Sequence, residues 1–157
     1  QRILETETFY SLVHSPHSLS DEISALTNIS DEELSSAPIA SEVLMEFFKF
    51  VKNHALVAHH AKHEQSFMQK MTWDLLKTRF EHRIIDTSFL LRLSNPSIKS
   101  IPLEAACMEC GIEITNRHHA LGDAKLTAQI WGHYLEHAQL LGYKNLREVY
   151  EYLAKIR

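Results

Sequence analysis

Cysteine, positive charge and long apolar runs are all scarce in this 157-residue chain. Two cysteines cannot build a disulfide scaffold; they fit a reducing compartment, so a cytoplasmic location is expected. They form a lone CxxC, Cys107-Met108-Glu109-Cys110. A zinc ribbon needs a second such pair and none exists, so both read as small residues on or near a buried helix face. The formal net charge is −4 with histidines neutral, so the totals carry no basic stripe of the kind that marks broad nucleic-acid binders. That leaves open an enzyme that grips one strand end locally through metal ions. No apolar run approaches the roughly 20 residues of a membrane span, and no signal peptide is visible, so no membrane partner is expected. There is no internal repeat and no low-complexity tract. The chain starts with Gln rather than Met. What it does have in quantity is histidine, eleven residues that cluster.

The pattern of apolar residues predicts short strands alternating with helices, an α/β fold. A strand is expected over residues 3–13, then a loop at His14-Ser15-Pro16-His17-Ser18. Residues 20–36 are polar, with Ser30 and Asp31 able to cap a short turn. Pro38 marks a helix start, followed by Val43, Phe47 and Phe50 at helical spacing. Ala55–Ala58 and Arg83–Asp86 read as short buried strands. A helix carrying Phe67, Met71 and Leu75 lies between them. A helix from Ile101 to Cys110 stops at Gly111. A long helix covers residues 120–140 and ends at Gly142. Asn145 and Glu148 make a capping box for a last, amphipathic helix, read as closing the domain rather than docking a partner.

Three side chains carry candidate chemistry. Glu64 follows a strand at a helix start, and Asp123 stands at another helix start one turn beyond the loop residue His118. Two carboxylates from separate elements can share a hard divalent cation. A nearby histidine can accept a proton from an attacking water. The bland alternatives are a helix-end dipole partner or cap for Asp123, and an exposed loop residue for His118. His59 and His63 have zinc-like i, i+4 spacing, but position 60 is His where a zincin requires Glu.

The run His118-His119-Ala120-Leu121-Gly122-Asp123-Ala124 resembles the HxAxxD third motif of the DEDDh 3′→5′ exonucleases. That family includes the proofreading epsilon subunit of bacterial DNA polymerase III, ribonuclease T and oligoribonuclease. His59-His60-Ala61-Lys62-His63-Glu64-Gln65-Ser66-Phe67-Met68 is similar to the family's second motif, HNAxFDxxFL. Ile85-Asp86-Thr87 matches its strand-end Asp-Thr, and Leu103…Gly111-Ile112 its pre-motif helix. Phe9-Tyr10-Ser11-Leu12-Val13 with Leu26-Thr27-Asn28-Ile29-Ser30-Asp31-Glu32 is similar to its Leu-Val-x-Pro…Leu-Thr-Gly-Ile-x-Asp-Glu segment.

The resemblance implies a ribonuclease H-like exonuclease fold, a mixed central sheet flanked by helices. It implies one exonuclease-like domain over residues 1–157, with a core at 1–141 and a C-terminal helix at 145–157. It also implies metal-dependent 3′→5′ hydrolysis of phosphodiester bonds at the 3′ end of single-stranded DNA or RNA, releasing nucleoside 5′-monophosphates. A polymerase or another replication or repair protein is the implied partner. Carried over by residue, Glu64 and Asp123 hold Mg2+ or Mn2+ and His118 is the catalytic base. Leu26, Thr27, Asn28 and Ile29 lie over the terminal nucleotide, and His63 can stack on its base.

Three departures matter. The family's Asp-x-Glu first motif belongs two strands before the Leu-Val end, so Glu5 and Glu7 read as the wet side of an edge strand. The domain is therefore expected to be N-terminally incomplete, lacking its first two strands and half the ligands of a two-metal site. Glu64 stands where the family has Asp, a reach about 1.5 Å longer. Asn28 replaces a Gly and is expected to tolerate a left-handed backbone. A catalytically decayed exonuclease-fold module, kept for binding nucleic acid or protein, is the rival reading.

Overall fold

The apolar runs around positions 57 and 85 form a parallel pair. Strands β1 (Leu56–Ala58) and β2 (Ile84–Asp86) align Leu56 with Ile84, Val57 with Ile85 and Ala58 with Asp86. Parallel neighbours need a crossover, and helix α4 (Lys62–Leu76) supplies it. The computed structural model describes residues 7–98, 101–115 and 117–155. Among them, this pair is the whole sheet.

Helices α1 (Asp21–Thr27) and α2 (Asp31–Ser36) precede the sheet, each started by a serine. Ser20 accepts from the Ile23 amide at 3.3 Å. Ser30 and Glu33 exchange bonds of 3.3 and 2.9 Å in a capping box. Asp31 does not cap; its Oδ1 accepts the Leu19 amide at 2.8 Å and ties the loop to α2. Asn28 ends α1 at φ 55°, the left-handed backbone expected of it. Helix α3 (Ala40–Val51) begins two residues after Pro38 and packs on α4.

The main core is built from the elements that follow β2. Asp86 caps the short α5 (Thr87–Leu90), a 3-10 turn follows at Leu91–Leu93, then α6 (Leu103–Glu109). The long α7 (Ala120–Leu140) presents Leu126, Ile130, Tyr134 and Ala138, four apart, to Leu90, Leu91, Leu93, Ala106 and Cys107. Burial raises the pKa of the Tyr134 hydroxyl and of both thiols above their ordinary values. Cys107 is fully buried on α6, and Cys110 caps that helix. Gly111 (φ 65°) and Gly142 (φ 87°) take the left-handed conformation that ends α6 and α7. There the amides of Ile112 and Tyr143 reach back to Cys107 O (2.8 Å) and Ala138 O (3.0 Å).

Helix α8 (Leu146–Lys155) closes this core with Val149 and Leu153. Its box is shifted by one residue: Glu148 accepts from the Lys144 amide at 2.8 Å, while Asn145 accepts from the Glu148 amide at 3.1 Å.

One expected element is corrected. Residues 7–13 do not form a strand, and the rest of the expected strand, including Glu5, lies outside the described residues. A strand needs a neighbouring ladder for its backbone groups. Among the described residues, the backbone–backbone hydrogen bond from residues 7–15 to another segment is the His14 amide to Pro38 O at 2.9 Å, while the His14 ring lies 3.2 Å from Leu34 O and from Ser35 O. Glu7 is exposed. The mixed character expected of the sheet is likewise not present among the described residues, whose two strands are parallel.

Candidate active site

The C-terminal end of β1 runs into two histidines that are held rather than free. The His60 amide donates to Asp86 Oδ1 at 3.0 Å, and the Ser88 amide donates to the same oxygen at 2.9 Å. Asp86 therefore staples the β1 exit to the start of α5. This ordering comes with a left-handed backbone at His60 (φ 62°). Nε2 of His59 and of His60 lie 2.8 and 3.0 Å from Ile101 O. A carbonyl only accepts, so both Nε2 atoms carry hydrogen.

Burial pushes His59 below the usual histidine pKa, against the favourable effects of the Ile101 carbonyl, Asp86 and Glu64. Its neutral ring then leaves Nδ1 as an acceptor, and the Thr87 hydroxyl donates to it at 2.9 Å. His59 is thus a clasp between the two strand ends and the loop before α6, not a zinc ligand.

Two expectations follow from the clasp. Thr87 is fully buried. Thr87→Val should cost about 1–3 kcal/mol, because it strips His59 of its partner. A denaturant titration measures this. The pH dependence has a definite sign. A depressed folded-state pKa means the unfolded chain binds more protons, so the contribution is whole above about pH 6.5 and is lost as pH falls through the folded value. Melting temperatures from pH 7.5 downward should fall less steeply in His59→Gln than in wild type.

Beside the clasp opens a cavity of about 800 Å³. It is walled by Ala58, His59 and His60 at the strand end, Glu64 in the first turn of α4, Ile101–Glu104, Arg117, and the α7 face of Ala120, Asp123, Ala124 and Thr127. Glu64 and Asp123, about sixty positions apart in the sequence, thus share one cavity.

Asp123 is not a helix cap. That position is His119, which makes no side-chain cap bond, while the Asp123 amide closes the first turn on His119 O at 3.0 Å. Asp123 Oδ2 is ion-paired to Nη1 of Arg117. Its Oδ1 is buried and has no hydrogen-bond partner among the described residues. Arg117 also donates through Nε, at 2.8 Å, and Nη2 to Oε1 of Glu104. Glu104 is held below the ordinary carboxylate range by its own backbone amide, then by Arg117, with a smaller push from His118. Asp123, and less strongly Glu104, hold Arg117 above its ordinary value.

The other expected residues lie around this cavity rather than in its wall. His118 is exposed with φ 65° and lines the adjoining hollow with Leu12, Ile23, Thr27 and Leu34. Leu26, Thr27, Asn28 and Ile29 line a further hollow with Tyr10, Arg117 and His119. There the Tyr10 and His119 rings stack at 4.8 Å. His63 is exposed in the first turn of α4, away from the walls of these hollows. Arg117 and Glu104, which sequence reasoning passed over, border the cavity with the carboxylates. The signal available was an arginine immediately before the His of the third motif.

The donor set bears on a divalent cation in two ways. A buried carboxylate oxygen without a donor, on a cavity that also holds a second carboxylate, suits one side of a hard cation's oxygen shell. Among the described residues, no three His, Cys, Asp or Glu side chains converge as a ready metal site. The residues present therefore fit part of a coordination shell.

The cavity thus lies at the strand ends of a parallel βαβ unit, and the chain belongs to the exonuclease family. The exonuclease family model matches residues 1–131. Its ribonuclease H-like α/β fold agrees with the helix-rich architecture and its small parallel sheet.

The chain is 33% identical over 131 residues to DNA polymerase III subunit epsilon of Aquifex aeolicus, covering 83% of this chain and 65% of that protein. It is 32% identical over 143 residues to the PolC-type DNA polymerase III of Caldanaerobacter subterraneus, covering 91% of this chain and 10% of that one. It is 28% identical over 149 residues to the 3′-5′ exonuclease DinG of Staphylococcus aureus, covering 95% and 16%. The chain thus spans a small part of the PolC-type and DinG proteins and about two thirds of the epsilon subunit. Among the described residues, no helix is long and apolar enough to cross a membrane.

Proposed function

We propose that the chain is the nuclease part of a metal-dependent 3′→5′ exonuclease acting on the 3′ end of single-stranded nucleic acid and releasing nucleoside 5′-monophosphates. The observation that supports it most is the meeting of Glu64 and Asp123 on one cavity, with Asp123 Oδ1 buried and unpartnered. In this reading the two carboxylates hold Mg2+ or Mn2+. The ion's contribution is to stabilise charge developing on the phosphoryl oxygens. Leu26, Thr27, Asn28 and Ile29 form the shelf for the terminal nucleotide, and His63 meets its base. The His118 ring, exposed on the adjoining hollow, turns to take a proton from the attacking water at a ring nitrogen. The enzyme works in the cytoplasm beside a polymerase or another replication or repair protein.

The rival reading, a decayed binding module, draws on Glu64 in the family's Asp position. A 5′-labelled oligonucleotide, followed with Mn2+ and with chelator, separates them through Glu64→Asp. A ligand on a long arm predicts equal or faster metal-dependent digestion in the variant, since Mn2+ suits oxygen sites that fit Mg2+ poorly. Digestion absent from both forms of the protein at its natural length favours the binding module.

A further inference from the structure

Asp123 has two carboxylate oxygens in opposite circumstances. Oδ2 is taken by Arg117, and Oδ1 is buried with no donor. A buried carboxylate oxygen left without a partner is costly, so Oδ1 is open to a ligand that the described residues do not supply. Arg117 cannot serve both oxygens, because Nε and Nη2 are committed to Glu104 Oε1 and only Nη1 faces Asp123. Glu104 also offsets the arginine's charge. Two carboxylates against one guanidinium leave the trio with an excess negative charge.

Resting on the metal reading above, we propose that Arg117 is a positioning residue. It grips Asp123 through Oδ2 so that Oδ1 alone is presented to the divalent cation, and Glu104 fixes the guanidinium in that role. The cation and Arg117 then hold Asp123 together; neither displaces the other. Outer partners of this kind govern metal affinity by aiming the ligand and limiting it to one oxygen. Lysine is a poor substitute, because a single ammonium cannot span two carboxylates in the fixed fork that guanidinium provides.

The test is direct cation binding, with no turnover required. Mn2+ is titrated into the protein at its natural length and free Mn2+ is followed by electron paramagnetic resonance. Arg117→Ala should weaken binding about 10- to 100-fold. Added guanidinium ion should restore much of it, and Arg117→Lys should restore little. A purely structural role gives no guanidinium rescue. In wild type, the Arg117 Nε–H resonance should persist through saturation with Mg2+, and in Glu104→Gln it should broaden with or without metal. Loss of that resonance as Mg2+ binds would mean that the cation displaces Arg117, which overturns the proposal. If Asp123→Asn abolishes Mn2+ binding while Arg117→Ala binds as wild type, the clamp is wrong and the metal site stands. A wild-type chain that takes no Mn2+, or takes it equally well as Asp123→Asn, overturns the metal site and the clamp with it.

Discussion

Asp123→Asn is expected to abolish 3′-end digestion while leaving the fold intact. The substitution keeps the side-chain volume and still offers Arg117 a carbonyl oxygen. What it removes is the charge on a buried oxygen that has no donor of its own. A hard cation depends on that charge, and an amide nitrogen in the same place presents hydrogens instead. His118→Gln, in the same assay, should cost at least about 100-fold if its ring is the general base. The assay follows a 5′-labelled single strand with the protein at its natural length, in Mg2+ and in Mn2+. Circular dichroism of each variant confirms that the fold is kept. Digestion at the wild-type rate by both variants would remove Asp123 and His118 from the catalytic assignment together.

The largest effect on stability is expected at the far end of the chain. Leu153 is fully buried and packs with Val149 on the core formed by α6 and α7. Leu153→Ala should cost about 2–5 kcal/mol, the transfer of the lost methyl groups plus the cavity left behind. Leu140, 86% exposed at the end of α7, is the control; its alanine variant should stay within about 0.5 kcal/mol of wild type. A urea titration of each reads the difference. If Leu153→Ala matched the control, α8 would not be a closing element of the core.

Local chemistry was legible in the sequence where one segment decides its own conformation. Ser30, Gly111, Gly142 and Asn28 each act within a few residues, through a cap or a left-handed turn, and stand as their types predict, whereas Asp31 bonds to Leu19 instead of capping. The strands at 56–58 and 84–86 and the helix between them followed from short apolar runs and 3.6-residue spacing. The family likewise followed from motifs in order along the chain, which the exonuclease family match over residues 1–131 bears out. Sequence reasoning failed at residues 7–13. There branched and aromatic residues gave strand propensity, but a strand forms only where a neighbour accepts its backbone bonds.

The environment of each site side chain belonged to tertiary structure alone. Glu64 and Asp123 face one cavity because the β1 exit and the α7 start converge, and chain spacing carries no trace of that. His59 reads from sequence as a possible ligand; Thr87 and Ile101, 28 and 42 positions away, make it a clasp, and burial lowers its pKa. Arg117 has the composition of a surface residue until Glu104 and Asp123 close around it. Residue type fixes what a group can donate, accept or ligate. Which partner it meets, and whether water is excluded from the meeting, is set by packing between segments far apart in the chain.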